Sequence, residues 1–178
     1  MQFFKRNNID VLNNESESQN YVVSNSSLDL GQYQPKKEFK LVKAKGVIRE
    51  TLAVLKMLAA ELDLPYRSDA MEKIIRDLIK DDKKPSIMNV GNITTTMGLH
   101  SSIAKISPSM GGRLPFPSII SWGNSFALVK KSDADYIEIA SPSEGILVIK
   151  VEELKNKLDK KYIEFLHVEK TDTTPEVK

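Results

Sequence analysis

The residues of this chain that invite a chemical reading are a few serines, two histidines and one tryptophan. The stretch from Leu114 to Gly145, LPFPSIISWGNSFALVKKSDADYIEIASPSEG, places Trp122, Ser125 and Ser141 at the ends of apolar runs. A serine becomes a nucleophile only beside a base, and hydrolases set it on a strained turn. No G-x-S-x-G occurs here. His100 and His167 stand at opposite ends of the β-rich part of the chain, without an acid cluster beside them, so they read as surface or half-buried structural residues and a poor metal site. The absence of cysteine removes thiolate catalysis, disulfides and Cys-based zinc sites. The GNS at 123–125 carries no phosphate-loop pattern, and no strand leads into a G-x-G-x-x-G, so no cofactor is expected. Trp122, next to a turn, reads either as a packing residue or as a half-exposed anchor for a peptide. The MGGR at 110–113 reads as a flexible loop.

The elements that must position these residues follow from periodicity. In GVIRETLAVLKMLAAELDL, Val47, Ile48, Leu52, Leu55, Leu58, Ala59 and Leu62 recur at helical spacing. Pro65 ends that helix or opens the next turn. RSDAMEKIIRDLIKDD is a second amphipathic helix, with Ser68 as its N-cap and Met71, Ile74, Ile75, Leu78 and Ile79 as its inner face. A third helix is expected from Ser86 to Gly98, despite a glycine and a threonine run that favour helix weakly. Beyond His100 the period changes. SSIAKIS, SIISW, SFALVKK, YIEIAS and GILVIK are short β-rich runs, with WGNS and KKSDAD as turns. A short helix, VEELKNKLDK, and a closing strand, YIEFLHV, complete the series. Helices followed by a meander predict an α+β fold. Ile119, Phe126, Leu128, Ile137, Ile139, Leu147 and Ile149 are expected in a largely antiparallel sheet, packed against the helix of Leu52, Leu55 and Leu58.

The chain has 178 residues, 40% of them hydrophobic, and a formal net charge of +2. That suits one domain with a tail, and it gives no bulk-charge signal for nucleic acid. Helices before a hairpin also suit a winged helix, but the third helix carries no Lys or Arg to meet phosphates, so nucleic acid is not an expected partner. Residues 7–35 are rich in Asn, Ser, Gln and acids and read as a disordered tail, in which YVV at 21–23 forms a brief strand or docks. The segment from Lys36 to Lys45 reads as a solvated linker or as a contact with acidic lipid or an acidic partner. The boundaries predicted are a tail and linker over 1–40, a domain over 41–168 and a C-terminal linker over 169–178. No apolar run is long enough to span a membrane, and the N-terminus has no secretory h-region.

The order of these elements, with LPFPSIISW, GNSFALV and ASPSEG in succession, resembles the C39 peptidase family. These are papain-like domains at the N-terminus of bacterial ABC exporters that cleave and export double-glycine leader peptides. The resemblance covers roughly 45–168 and is densest between Leu114 and Val151. It implies a Cys/His/Asp triad, with the His at Ser125, the Asp at Ser141 and the Cys near Glu50. None of the three is present, so the resemblance implies a degenerate, non-catalytic domain. Its substrate-binding positions would be Trp122, Ser125, Phe126 and Ser141, facing Glu50 across a cleft. The implied partners are an unfolded or leader-bearing polypeptide and the transmembrane and nucleotide-binding domains of an exporter. The implied location is the cytoplasmic face of the inner membrane. A stand-alone adaptor with the same fold is the other reading left open.

Overall fold

The computed structural model describes residues 37–80, 84–158 and 160–176. The tail expected over 1–35 therefore lies outside the described residues. The chain divides into two units, Met1–Glu38 and Phe39–Lys178, and all the elements below belong to the second.

Three helices come first: α1 (Val47–Glu61), α2 (Ser68–Ile79) and α3 (Ile87–Thr96). Helix α1 starts after Gly46, whose φ of 100° suits a residue without Cβ. It is buried on more than one side, with Val54, Leu55, Met57 and Leu58 no more than 1% exposed. Helix α2 is peripheral and buries only Ile75 and Ile79 fully. Ser68, expected as its cap, is instead its first residue. The cap position falls on Arg67, and no side chain caps it. Leu78, expected inside, is exposed. Helix α3 begins as expected on Ser86. Its hydroxyl accepts from Asn89 N–H (3.2 Å), while Asn89 Oδ1 accepts from Ser86 N–H (2.8 Å). The threonines tolerate the helix because their hydroxyls donate back to carbonyls one turn earlier, Thr94 and Thr95 to Gly91 and Thr96 to Ile93.

The strands are β1 (Leu99–Ile106), β2 (Ser118–Trp122), β3 (Ser125–Ser132), β4 (Tyr136–Ser141), β5 (Gly145–Lys150) and β6 (Ile163–Lys170). They form an antiparallel sheet in the order β1-β6-β2-β3-β4-β5. The closing strand β6 thus inserts between β1 and β2. The sheet has two apolar faces. One carries Ile119, Phe126, Leu128, Ala140, Leu166 and Val168 and packs on the helices. The other carries Ile120, Trp122, Ala127, Val129, Ile137, Ile139 and Ile149. A 3-10 segment (Val151–Glu153) and α4 (Leu154–Lys157) bring Val151 and Leu154 onto that second face. Ile137, Ile139, Leu147 and Ile149 were expected against α1. They pack on the opposite face, because β4 presents Ala140 to the helices and its odd-numbered residues away from them.

Two loops are more ordered than their composition suggests. MGGR is not a flexible loop but part of a 3-10 helix, Pro108–Arg113. Gly111 lies against Leu154 and Ile163, and Gly112 lies against the Asp133 carbonyl, so closely that neither site has room for a Cβ without displacement. Past the expected domain end at 168, β6 continues to Lys170, and Thr174 Oγ1 donates to Gly98 O (2.6 Å). In the basic segment Lys37, Lys40, Lys43 and Lys45 are exposed. Between them, Phe39, Leu41 and Val42 pack on the helix-side core. Lys130 Nζ lies 4.4 Å from the Phe39 ring centroid.

Candidate functional site

One end of the sheet gathers the positions singled out in the sequence. The β2–β3 turn, the β4–β5 turn, the start of β6 and the N-termini of α1 and α3 converge there. The entry to α1 is fixed to the β4–β5 turn by Ala44 N–H donating to Pro142 O (3.0 Å).

Glu50, Ser141 and Ser125, the positions that the resemblance sets at a triad, each have a local environment of their own. Glu50 is half-buried in the first turn of α1, and its Oε2 accepts from Gly46 N–H (3.0 Å). Its carboxylate thereby satisfies an orphan donor at the helix start and complements the positive end of the helix. Ser141 is 2% exposed at the end of β4. Its Oγ accepts from Glu144 N–H (3.3 Å) and lies 3.4 Å from Ser143 Oγ, which stabilises the turn into β5. Ser125 is 7% exposed, opposite Trp122 in the β2–β3 register, and its buried Oγ has no hydrogen-bond partner. No imidazole approaches any of the three: His100 lies on β1 and His167 on β6. The register sets Ser102 opposite His167 and His100 opposite Glu169, so the two histidines, distant in sequence, occupy neighbouring strands. His167 is tied to structure, with Nδ1 2.9 Å from Pro117 O and Nε2 3.2 Å from Glu169 Oε1. A carbonyl can only accept, so Nδ1 carries the proton. Among the described residues no group of three or more His, Asp or Glu side chains is placed to hold a metal ion.

Trp122 does not stand half-exposed at the hairpin tip. It is 8% exposed, on the sheet face turned away from the helices, and its Nε1–H donates to Glu144 Oε1 (3.0 Å). The alternation of β2 explains this: Ile120 and Trp122 share one face, Ile119 and Ser121 the other.

On the helix side of the same sheet end is a cavity of about 480 Å3. Ser121, Phe126 and Glu164 line it from the sheet, Tyr162 from the residues leading into β6, and Ile87 and Met88 from α3. Ser121 Oγ donates to Glu164 Oε1 (3.2 Å), which orients that carboxylate. Lys84 and Lys160 stand at the rim, and Met88 is 66% exposed. Lys105 Nζ lies 4.6 Å and Lys160 Nζ 5.7 Å from the centroid of the Tyr162 ring. Of the residues expected to line a cleft, only Ser125 and Phe126 border this cavity. Glu50, Trp122 and Ser141 do not. Tyr162, Glu164 and Met88 escaped sequence reasoning. Glu164 lies in β6 and Tyr162 just before it, and no periodicity reveals the place of β6 inside the sheet. Met88 is legible only as an apolar residue off the inner line of α3.

A family model for the peptidase C39 family matches residues 40–170. The chain belongs to the peptidase C39 family. Its solved structural relatives share the fold at low identity. A double glycine motif protease from an AMS/PCAT transporter, solved in complex with the leader peptide, superposes with a TM-score of 0.60 at 20% identity, covering 77% of this chain and 96% of that one. The peptidase domain of Streptococcus ComA, a bifunctional ABC transporter of a quorum sensing pathway, gives 0.59 at 14% identity, covering 75% and 100%. The N-terminal peptidase C39 like domain of the toxin secretion ATP-binding protein of Vibrio parahaemolyticus gives 0.50 at 13% identity, covering 72% and 99%. No curated protein matches the chain. This chain contains no cysteine.

Proposed function

We propose that this domain binds an extended polypeptide without hydrolysing it, and that it does so for an ABC exporter. The observation that carries the reading is the state of the three triad-equivalent positions. One carboxylate, Glu50, is spent on capping a helix. One hydroxyl, Ser141, is spent on a turn. The third group, Ser125 Oγ, is sealed from solvent with no base beside it. Cysteine protease chemistry needs a thiolate, a base that takes its proton and a group that orients that base. The chain has no thiol to begin with.

Loss of those groups removes hydrolysis and leaves shape. The cavity between α3 and β6 offers an aromatic floor at Phe126 and Tyr162, an exposed thioether at Met88, and lysines at the rim. Met and aromatic surfaces adapt to varied apolar side chains, and rim charges govern encounter more than affinity. One relative of the same fold was crystallised with its leader peptide, which supports a peptide as the ligand class here. Ser125 and Phe126 sit at the border of this site, whereas Trp122 and Ser141 act from beneath it, through Glu144. The partners we assign are an unfolded or leader-bearing polypeptide and the membrane and nucleotide-binding domains of the exporter, at the cytoplasmic face of the membrane. Among the described residues no helix is long and apolar enough to cross a membrane.

Incubation of the chain with a double-glycine leader peptide tests the catalytic half of the proposal. Mass spectrometry should find the peptide intact. Cleavage at the glycine pair, abolished by Ser125→Ala, would establish a serine nucleophile and overturn it. The binding half is tested by Met88→Ala, which removes an exposed contact without touching the core. It should weaken polypeptide binding by about tenfold while leaving the thermal midpoint in place.

A further inference from the structure

Among the described residues strand β5 ends the sheet, with one of its edges unpaired. Its residues alternate. Leu147 and Ile149 turn to the second core, while Ile146 and Val148 are 39% and 64% exposed on the helix side. Helix α1 packs chiefly over β3 and less over β4. An edge strand with exposed β-branched residues and a single terminal lysine is a template for another strand.

We propose that this edge pairs with itself, so that two copies of the chain join their sheets through antiparallel β5 strands about a two-fold axis. The sequence of the strand and its turn, Glu144-Gly145-Ile146-Leu147-Val148-Ile149-Lys150, is self-complementary in one register. Centred on Leu147, antiparallel pairing sets Ile146 of each copy against the partner's Val148. Moving the axis to Val148 would set Lys150 against Ile146. Moving it to Ile146 would set Val148 against Glu144. Only the Leu147 register matches every exposed apolar residue of the strand to an apolar one. Cross-strand apolar pairs stabilise a sheet, and an isologous contact uses the pair twice. The pairing is an edge contact of modest area, so the dimer forms at high protein concentration and dissociates on dilution.

The test uses the full chain. Sedimentation velocity at about 100 µM should show a dimer, and Val148→Glu should return it to monomer without lowering the thermal midpoint. The absence of native cysteine makes the register directly readable. Under mild oxidation, an equal mixture of Ile146→Cys and Val148→Cys chains should form disulfide-linked dimers, and neither variant alone should do so to a comparable extent. A wild-type chain that stays monomeric at that concentration overturns the proposal. So does cross-linking of either single variant as readily as the mixture, which would place the axis elsewhere. A chain whose β5 amides respond only to an added extended polypeptide also overturns it, and assigns the edge to that ligand.

Discussion

Ser125 is a buried hydroxyl in a place where nothing satisfies it. An unpaired buried polar group costs roughly 1–3 kcal/mol, so its removal should not harm the fold. Ser125→Ala is therefore expected to leave the denaturation midpoint unchanged or to raise it, which urea titration will show. A clear loss of stability would mean that the hydroxyl has a partner of its own. Two titrating side chains make independent checks. Asp133 is held below the ordinary carboxylate range by the backbone N–H groups of Tyr136 and Asp135, with Lys131 adding to the effect. Its stabilising influence on the β3–β4 turn is complete above the usual aspartate value and fades as pH falls through its lowered one. An NMR pH titration should find its side-chain midpoint below that of a free aspartate. The Tyr66 phenol donates to Leu52 O (3.0 Å), and burial pushes its pKa up to about 12. The fold favours the neutral phenol, so this contribution is full below the unfolded value of 10.0 and is lost as pH rises from there to about 12. Absorbance titration should show one tyrosine ionising late, and the Tyr66→Phe variant should lose that late phase.

At the level of elements, the helices were more legible than the sheet. The 3.6 period marked α1, α2 and α3, and the start of α3 at Ser86 was placed, whereas the cap expected at Ser68 proved to be the first residue of α2. What periodicity did not carry was the partner of each face. A strand buried on both sides looks the same whichever core it feeds, so Ile137 and Ile139 were assigned to the helices although they feed the second core. The glycines of MGGR looked like flexibility, because close approach by Leu154 and Asp133 depends on segments distant in sequence. The two glycines should respond differently to substitution. At Gly112 a new Cβ meets the backbone of Asp133, which cannot step aside. At Gly111 it meets chiefly the flexible tip of Leu154. Both Gly→Ala changes should destabilise, by about 1–3 kcal/mol, with Gly112→Ala the more costly of the two in chemical denaturation. Leu55 is 0% exposed in the centre of α1, and Leu55→Ala should cost about 2–5 kcal/mol. A cost under 1 kcal/mol would show that α1 does not carry the helix-side core.

For the whole molecule, the motif run LPFPSIISW, GNSFALV, ASPSEG carried the family, and the match over residues 40–170 bears it out. The site itself was legible only in part. Ser125 and Phe126 could be placed, but the cavity they border is completed by Tyr162 and Glu164, which reach it because β6 slots between β1 and β2. Trp122 drew attention as an aromatic beside a turn, and its burial follows from a strand parity that needs the register to be known. The proposed function is that a domain with the architecture of a peptidase binds extended polypeptide at the α3–β6 cavity and leaves it whole. The most direct measurement is an amide chemical-shift titration of the chain with an unfolded polypeptide, followed by mass analysis of that polypeptide from the same tube. The expected result is saturable shifts at Met88, Ser121, Phe126, Tyr162 and Glu164 with the ligand mass unchanged. Shifts confined to surfaces remote from those residues, or a ligand recovered in pieces, would contradict it.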